Sequence, residues 1–208
     1  MYKKVVNIIL VMIVIGVSIL GMVSPVYARG GLTPIERDGL LFMREEEKLA
    51  RDVYIYLYNQ YGLNIFQNIS RSEQNHMDAM LSLLNNYSLP DPASPLPGVF
   101  NNQELQGLYN SLIVWGSQSL SAALRVGGTI EEVDILDLEY YLAHTNKNNI
   151  QQVYGNLLRA SENHLRAFVS TLFNQTGEIY EPLYLDPVRY QEIIDGGGGC
   201  RGRRCEGG

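Results

Sequence analysis

Phe66-Gln67-Asn68-Ile69-Ser70-Arg71-Ser72-Glu73-Gln74-Asn75-His76-Met77, continued through Met80 and Leu83 to Tyr87, is the stretch that decides the fold. Taken in alternating steps of three and four, it places Phe66, Ile69, Glu73, His76, Met80, Leu83 and Tyr87 on one face. That spacing belongs to a helix packed against others. The face is apolar except for Glu73 and His76, which stand one helical turn apart. A carboxylate in an apolar seam is costly unless a cation or a proton neutralises it. A glutamate followed by a histidine one turn later can put a carboxylate oxygen and an imidazole nitrogen on one metal ion.

The flanking sequence repeats the pattern. Thr33-Pro34-Ile35-Glu36 combines an N-cap threonine, a proline at the first helical position and a glutamate three residues after the cap, so a helix starts there and runs to Gly62. Its seam is Leu40, Met43, Glu47, Ala50, Tyr54, Leu57 and Tyr61, interrupted once by Glu47. The run Arg44-Glu45-Glu46-Glu47-Lys48 around it reads as a solvated face with one carboxylate turned inward, and the register selects Glu47. After the second helix, Pro90, Pro92, Pro95 and Pro97 break all periodicity and make a long connection. Helical pattern resumes at Gln103, pauses at Gly116, continues from Ser117 to His144, turns at Thr145-Asn146-Lys147-Asn148 and runs on to Asn174. The later seams are Leu120, Leu124, Gly127, Glu131, Asp134, Leu138 and Tyr141, then Ile150, Tyr154, Leu157, Ser161, His164, Phe168 and Leu172. In the first of these, Glu132 competes with Glu131, and the stripe Ala123, Val126, Ile130, Val133 is equally apolar; Asp134 reads either as inward or as solvated. His144, at a helix end, reads as surface.

These elements predict an all-α chain: four long helices and one short one, paired antiparallel, with the long crossover between helices two and three. Strand signals are absent. The inward polar set is Glu47, Glu73, His76, Glu131, Asp134 and His164, and several acids meeting in one bundle core require a cation to stay ionised. Oxygen and imidazole donors suit iron or manganese, as one or two ions, with zinc as a further candidate. Tyr54 is the candidate catalytic side chain, and that role would need an open coordination position beside it. For His164 the competing reading is a core histidine bonded to a tyrosine.

Lys3 and Lys4 precede an apolar stretch from Val5 to Val23, and Ser24-Pro25-Val26-Tyr27-Ala28 supplies small residues for cleavage. Residues 1–28 therefore read as an export signal, with an uncleaved membrane anchor as the lesser alternative. The expected organisation is a leader at 1–28, a bundle at 33–177 and a tail at 178–208, Gly-rich and flexible at its end. The expected location is outside the cytosol: extracellular, periplasmic or cell-surface. The 208 residues carry 16 Lys+Arg against 22 Asp+Glu, a net charge of -6. No basic cluster precedes the last eight residues, which argues against nucleic acid as a partner. Metal ions are the expected partners, a homodimer is compatible, and a membrane enters only through an uncleaved leader. Cys200 and Cys205, both in the tail, provide neither a disulfide framework nor a four-ligand zinc knuckle. Phosphate-binding glycine loops, His-Glu-x-x-His and Gly-x-Ser-x-Gly are missing, which leaves hydrolase and nucleotide-dependent readings without support.

The motifs also carry a resemblance. Glu47-Lys48-Leu49-Ala50-Arg51-Asp52-Val53-Tyr54 resembles the first-helix ligand stretch of rubrerythrins, and Ile65-Phe66-Gln67-Asn68-Ile69 through Glu73-Gln74-Asn75-His76 resembles their second helix. More closely, Ser72-Glu73-Gln74-Asn75-His76-Met77, Ile130-Glu131-Glu132-Val133-Asp134-Ile135 and Asn156 through Phe168 are similar to a ferritin-like family known as the domain of unknown function numbered twenty-two-oh-two. The resemblance covers about residues 33 to 175. It implies a ferritin-like bundle with a metal site and no particular reaction.

A full dinuclear site of that kind takes glutamates from two helices and Glu-x-x-His from the other two. Here the last helix offers Ser161-x-x-His164, so one glutamate is missing; Asp134 is the candidate to fill the gap, and Glu162 would need a rotated or bulged helix. The leading expectation is an exported metalloprotein that reacts with oxygen or peroxide or oxidises the metal itself, an oxidoreductase of the non-haem carboxylate type if it turns over. The alternative is a non-catalytic structural or cell-surface interaction bundle with a degenerate site.

Overall fold

The computed structural model describes residues 31–196. The leader reading and Cys200 and Cys205 lie outside the described residues. Within them the structure is all-helical: α1 Pro34–Tyr61, α2 Asn64–Asn86, α3 Gln103–Gly116, α4 Leu120–Ala143, α5 Asn148–Thr176 and α6 Pro187–Gly196. No described helix is long and apolar enough to cross a membrane.

The capping chemistry places the ends of α1 and the start of α3 where the sequence expects them, whereas α4 starts at Leu120, three residues after the expected Ser117. Thr33 Oγ1 accepts the Glu36 N–H at 3.1 Å while Glu36 Oε2 accepts the Thr33 N–H at 2.8 Å, which closes the capping box at the start of α1. Gly62, at φ 64°, ends α1 by donating its N–H to Tyr58 O, a left-handed position that glycine occupies without a Cβ penalty. Asn102 caps α3 by accepting the N–H groups of Glu104 and Leu105, and Ser119 caps α4 through Ala122.

α1 packs along α2, and α4 along α5; α2 meets α5 and α1 meets α4, so the four long helices enclose a common interior. α3 lies against α1 and α4, and α6 against α5. Two apolar cores fill the interior, one built around Leu40, Met43, Met80, Leu84, Leu138 and Leu157, the other around Val53, Leu57, Phe66, Leu124, Phe168 and Leu172. Each fully buried side chain of this size stabilises the fold by roughly 1.5–3 kcal/mol. The polar members of the seams lie between them.

Three findings depart from the sequence reading. First, the charged run of α1 is not a solvated face: Arg44, Glu45, Glu46, Glu47 and Lys48 are all buried, because the proline-rich connection returns across α1. Arg44 forks onto both oxygens of Asp91, Glu45 accepts the N–H groups of Asn101 and Asn102, and Lys48 Nζ donates to Leu96 O at 3.0 Å and to Asp52 Oδ2 at 2.5 Å. Lys48 also lies 4.3 Å from the centre of the Phe100 ring. Second, both stripes of α4 are largely buried, with Leu120, Val133 and Tyr141 half-buried; α3 packs on α4, and the segment after α5 bonds to Glu132 of α4. Third, residues 178–196 contain a sixth helix and pack on the bundle. Glu132, fully buried, accepts the backbone N–H groups of Leu183, Tyr184 and Leu185 and the Tyr180 hydroxyl, tying this segment to α4.

Candidate metal centre

Four helices each send at least one polar side chain into the layer between the two cores. α1 supplies Glu47, α2 supplies Glu73 and His76, α4 supplies Glu131 and Asp134, and α5 supplies Ser161 and His164. The register argument therefore selects the residues that meet, and the choice of Glu131 over Glu132 matches the geometry. Glu132 points to the C-terminal segment instead.

The side chains form two triads that share one carboxylate. Glu47, Glu73 and His76 form the first and Glu73, Glu131 and His164 the second, each offering three ligand atoms within 4.8 Å of one another. His76 Nδ1 lies 2.6 Å from Glu73 Oε2 and 3.1 Å from Glu47 Oε2. His164 Nδ1 lies 2.9 Å from Glu73 Oε1 and 3.4 Å from Glu131 Oε2. Glu73 thus faces one imidazole with each oxygen. His164 Nδ1 and Glu73 Oε1 are close, yet neither has a hydrogen-bond partner of proper alignment, and Glu47 Oε1 and Asp134 Oδ1 are buried without any donor. Unsatisfied buried polar atoms are rare, and each costs about 1–3 kcal/mol. Four of them in one layer fit a ligand set turned toward a common third point.

Charge supports the same fit. Among the described residues, no lysine or arginine pairs with Glu47, Glu73, Glu131 or Asp134; their only cationic neighbours are the two imidazoles. Burial pushes Glu47 up to about 8, partly offset by His76 and reinforced by the like charge of Glu73. Burial also raises Glu131, and raises Asp134 well above the usual carboxylate range with help from Glu47 and Glu131. Glu73 goes the other way: burial would raise it, but His164 and His76 outweigh that and hold it down at about 2. The imidazoles answer in kind, since the carboxylates overcome burial and lift His76 to about 11 and His164 to about 10. Such mutual shifts mark a site short of positive charge. A divalent ion would supply it and leave both imidazoles neutral.

Tyr54, fully buried, donates to Glu131 Oε1 at 2.5 Å and lies 3.3 Å from Gly127 O, with its ring against Phe66 and Phe168. Gly127 allows this arrangement: a Cβ there would stand 2.3 Å from the Phe168 ring. Asp134 is buried rather than solvated, and its Oδ2 accepts from the Ser161 hydroxyl. His164 meets carboxylates and not the tyrosine that the competing reading required. The layer is largely buried; the stacked His76 and His164 side chains are its most exposed members, at 10% and 12%. Glu46, buried beside Asp137 with Oε2 unpartnered, was not foreseen as an inward group. Its neighbours come from the α1–α4 contact, which helical register does not reveal. His144 is exposed, bonded to Tyr140 O.

Comparison with known proteins adds the family. Residues 36–197 match the family model described as Uncharacterized protein domain (DUF2202). The chain is 50% identical over 160 residues to Uncharacterized protein MJ0754 of Methanocaldococcus jannaschii, a match that covers 76% of this chain and 86% of the relative. Among solved structures, it is similar to the crystal structure of hypothetical protein MJ0754 from Methanococcus jannaschii DSM 2661, at 46% identity and a TM-score of 0.75, covering 86% of this chain and 98% of that one.

Proposed function

The chain belongs to the family described as Uncharacterized protein domain (DUF2202), and from that membership and the geometry of the polar layer we propose that it is a ferritin-like four-helix bundle that binds iron or manganese. The proposed ligands are Glu47, Glu73, His76, Glu131 and His164, with Glu73 shared between two positions. The observation that carries this reading is the pair of three-residue groups that share Glu73, with no lysine or arginine paired to them among the described residues. Carboxylates gathered in a buried layer with only imidazoles for partners call for a cation.

A bound iron or manganese ion would supply one-electron chemistry toward dioxygen or peroxide. The chain's own residues do the rest. Both histidines turn Nδ1 inward, and the His76 Nε2 lies 3.4 Å from Ser72 Oγ, which fixes its ring orientation. The Tyr54 hydroxyl holds Glu131 and keeps a proton at the edge of the layer, while Phe66 and Phe168 exclude water from that side. The leader sequence supports placing the protein outside the cytosol.

Thermal unfolding with and without added metal tests the reading. Ferrous or manganous ion at a hundredfold excess over its dissociation constant is expected to stabilise the native protein by about 2.7 kcal/mol, a rise of several degrees in Tm. The double variant Glu73→Ala/His76→Ala is expected to show no such rise. An unmoved wild-type transition with iron, manganese and zinc favours the structural or cell-surface bundle, in which carboxylates and imidazoles satisfy each other.

A further inference from the structure

One carboxylate in the layer belongs to neither triad. Asp134 comes from α4, three residues after Glu131 and so on the same face. Only 6% of it is exposed, and its two oxygens differ: Oδ2 accepts from the Ser161 hydroxyl, whereas Oδ1 is buried with no donor. Glu47, Glu131 and Glu73 are all near enough to repel its charge. Left alone, such an oxygen is a liability of about 1–3 kcal/mol.

Ser161 explains why one oxygen is committed and the other is not. It is fully buried on α5, three residues before His164, and its hydroxyl reaches both Asp134 Oδ2 and Leu157 O at 3.0 Å. A serine hydroxyl brings no charge to a cation. It can, however, hold the carboxylate that does.

Charge counting leads to the same group. Two divalent ions with neutral imidazoles need four negative charges for neutrality, and Glu47, Glu73 and Glu131 provide three. In a closed low-dielectric layer a residual unit charge is expensive. Asp134, on the same face of α4 as Glu131, can supply the fourth, whereas the other buried acid outside the triads, Glu46, stands beside Asp137.

We propose that Asp134, oriented by Ser161, is an additional ligand of the centre through Oδ1, and that its presence lets the layer hold two divalent ions rather than one. This rests on the metal-binding reading above. Asp134 is then a ligand, and Ser161 a positioning residue that acts through it.

Manganese binding by the full folded chain tests it, read as ions per chain by elemental analysis, as affinities by calorimetry, and as the paramagnetic resonance spectrum. Wild type is expected to bind two ions and to give a broadened, spin-coupled spectrum. Asp134→Asn, which keeps size and the Ser161 contact, is expected to retain one ion with an isolated six-line spectrum and to weaken the second tenfold or more. Ser161→Ala is expected to keep both ions, with the second weakened several-fold. Ser161→Glu combined with Asp134→Asn is expected to regain the second ion, which a merely structural role for either residue would not produce. The proposal is overturned if Asp134→Asn binds two ions as tightly as wild type, or if wild type binds one. Those results leave the five-residue centre standing, whereas a wild type that binds no iron or manganese removes the centre itself.

Discussion

Glu73 is the residue on which the site turns, because it alone faces both imidazoles. Its register was readable in sequence: a single turn of polar residues in an apolar seam has few explanations, and the same holds for Glu47, Glu131 and His164. Which of its oxygens meets which histidine was not readable, since that depends on the approach of α5. The metal-free protein should carry the signature of these contacts in its pH dependence. His76 at about 11 and His164 at about 10 lie above the ordinary 6.5, so their contribution is complete below that value and is lost as pH rises through 10 to 11. Glu47, raised to about 8 from 4.5, also loses stability as pH rises between those values. Glu73, held at about 2, contributes above 4.5 and loses its contribution as pH falls toward 2. Urea unfolding of the metal-free protein should therefore show greatest stability near about pH 5 and a steady decline toward pH 10. Metal affinity should run the opposite way, tightening with pH as imidazoles and carboxylates shed protons. A flat profile for the metal-free protein would contradict the contacts described.

At the scale of elements, the caps, breaks and seams of α1 to α5 follow from sequence because each is a local signal, whether a capping box, a proline cluster or a left-handed glycine. What sequence did not disclose are the two connecting segments and their anchors. The run Arg44 to Lys48 looks like surface charge on one helix, and becomes interior only because residues 91–102 return over it with their own backbone N–H and C=O groups to satisfy. The segment after α5 is similar. Its helix and its packing were not legible because Glu132, its anchor, sits 48 or more residues before the groups it binds and looks like a duplicate of Glu131. Glu132→Ala would strip Leu183, Tyr184 and Leu185 of their N–H acceptor and leave the Tyr180 hydroxyl with Thr129 alone. The expected loss is about 2–4 kcal/mol in urea unfolding, with new proteolytic cleavage between Gly177 and Asp186. Glu132→Gln, which preserves an acceptor oxygen, should lose less. Unchanged protease resistance in Glu132→Ala would show that the segment is held by other contacts.

For the whole molecule, the arrangement is a polar layer between two apolar cores. Leu40, Met43 and Met80 close one end, and Phe66, Phe168 and Leu124 the other. A bundle built only for stability gains nothing from four buried acids without a lysine or arginine among them, since an apolar layer of equal volume is commonly as stable or more so. The proposed metal centre accounts for that cost. Metal content per chain tests this most directly, measured on protein reconstituted anaerobically with excess ferrous ion and then freed of unbound metal. Wild type should retain tightly bound iron, and Glu73→Ala/His76→Ala should retain none while keeping its helical content. A folded wild-type protein that emerges without iron, and likewise without manganese when loaded with that ion, would contradict the account.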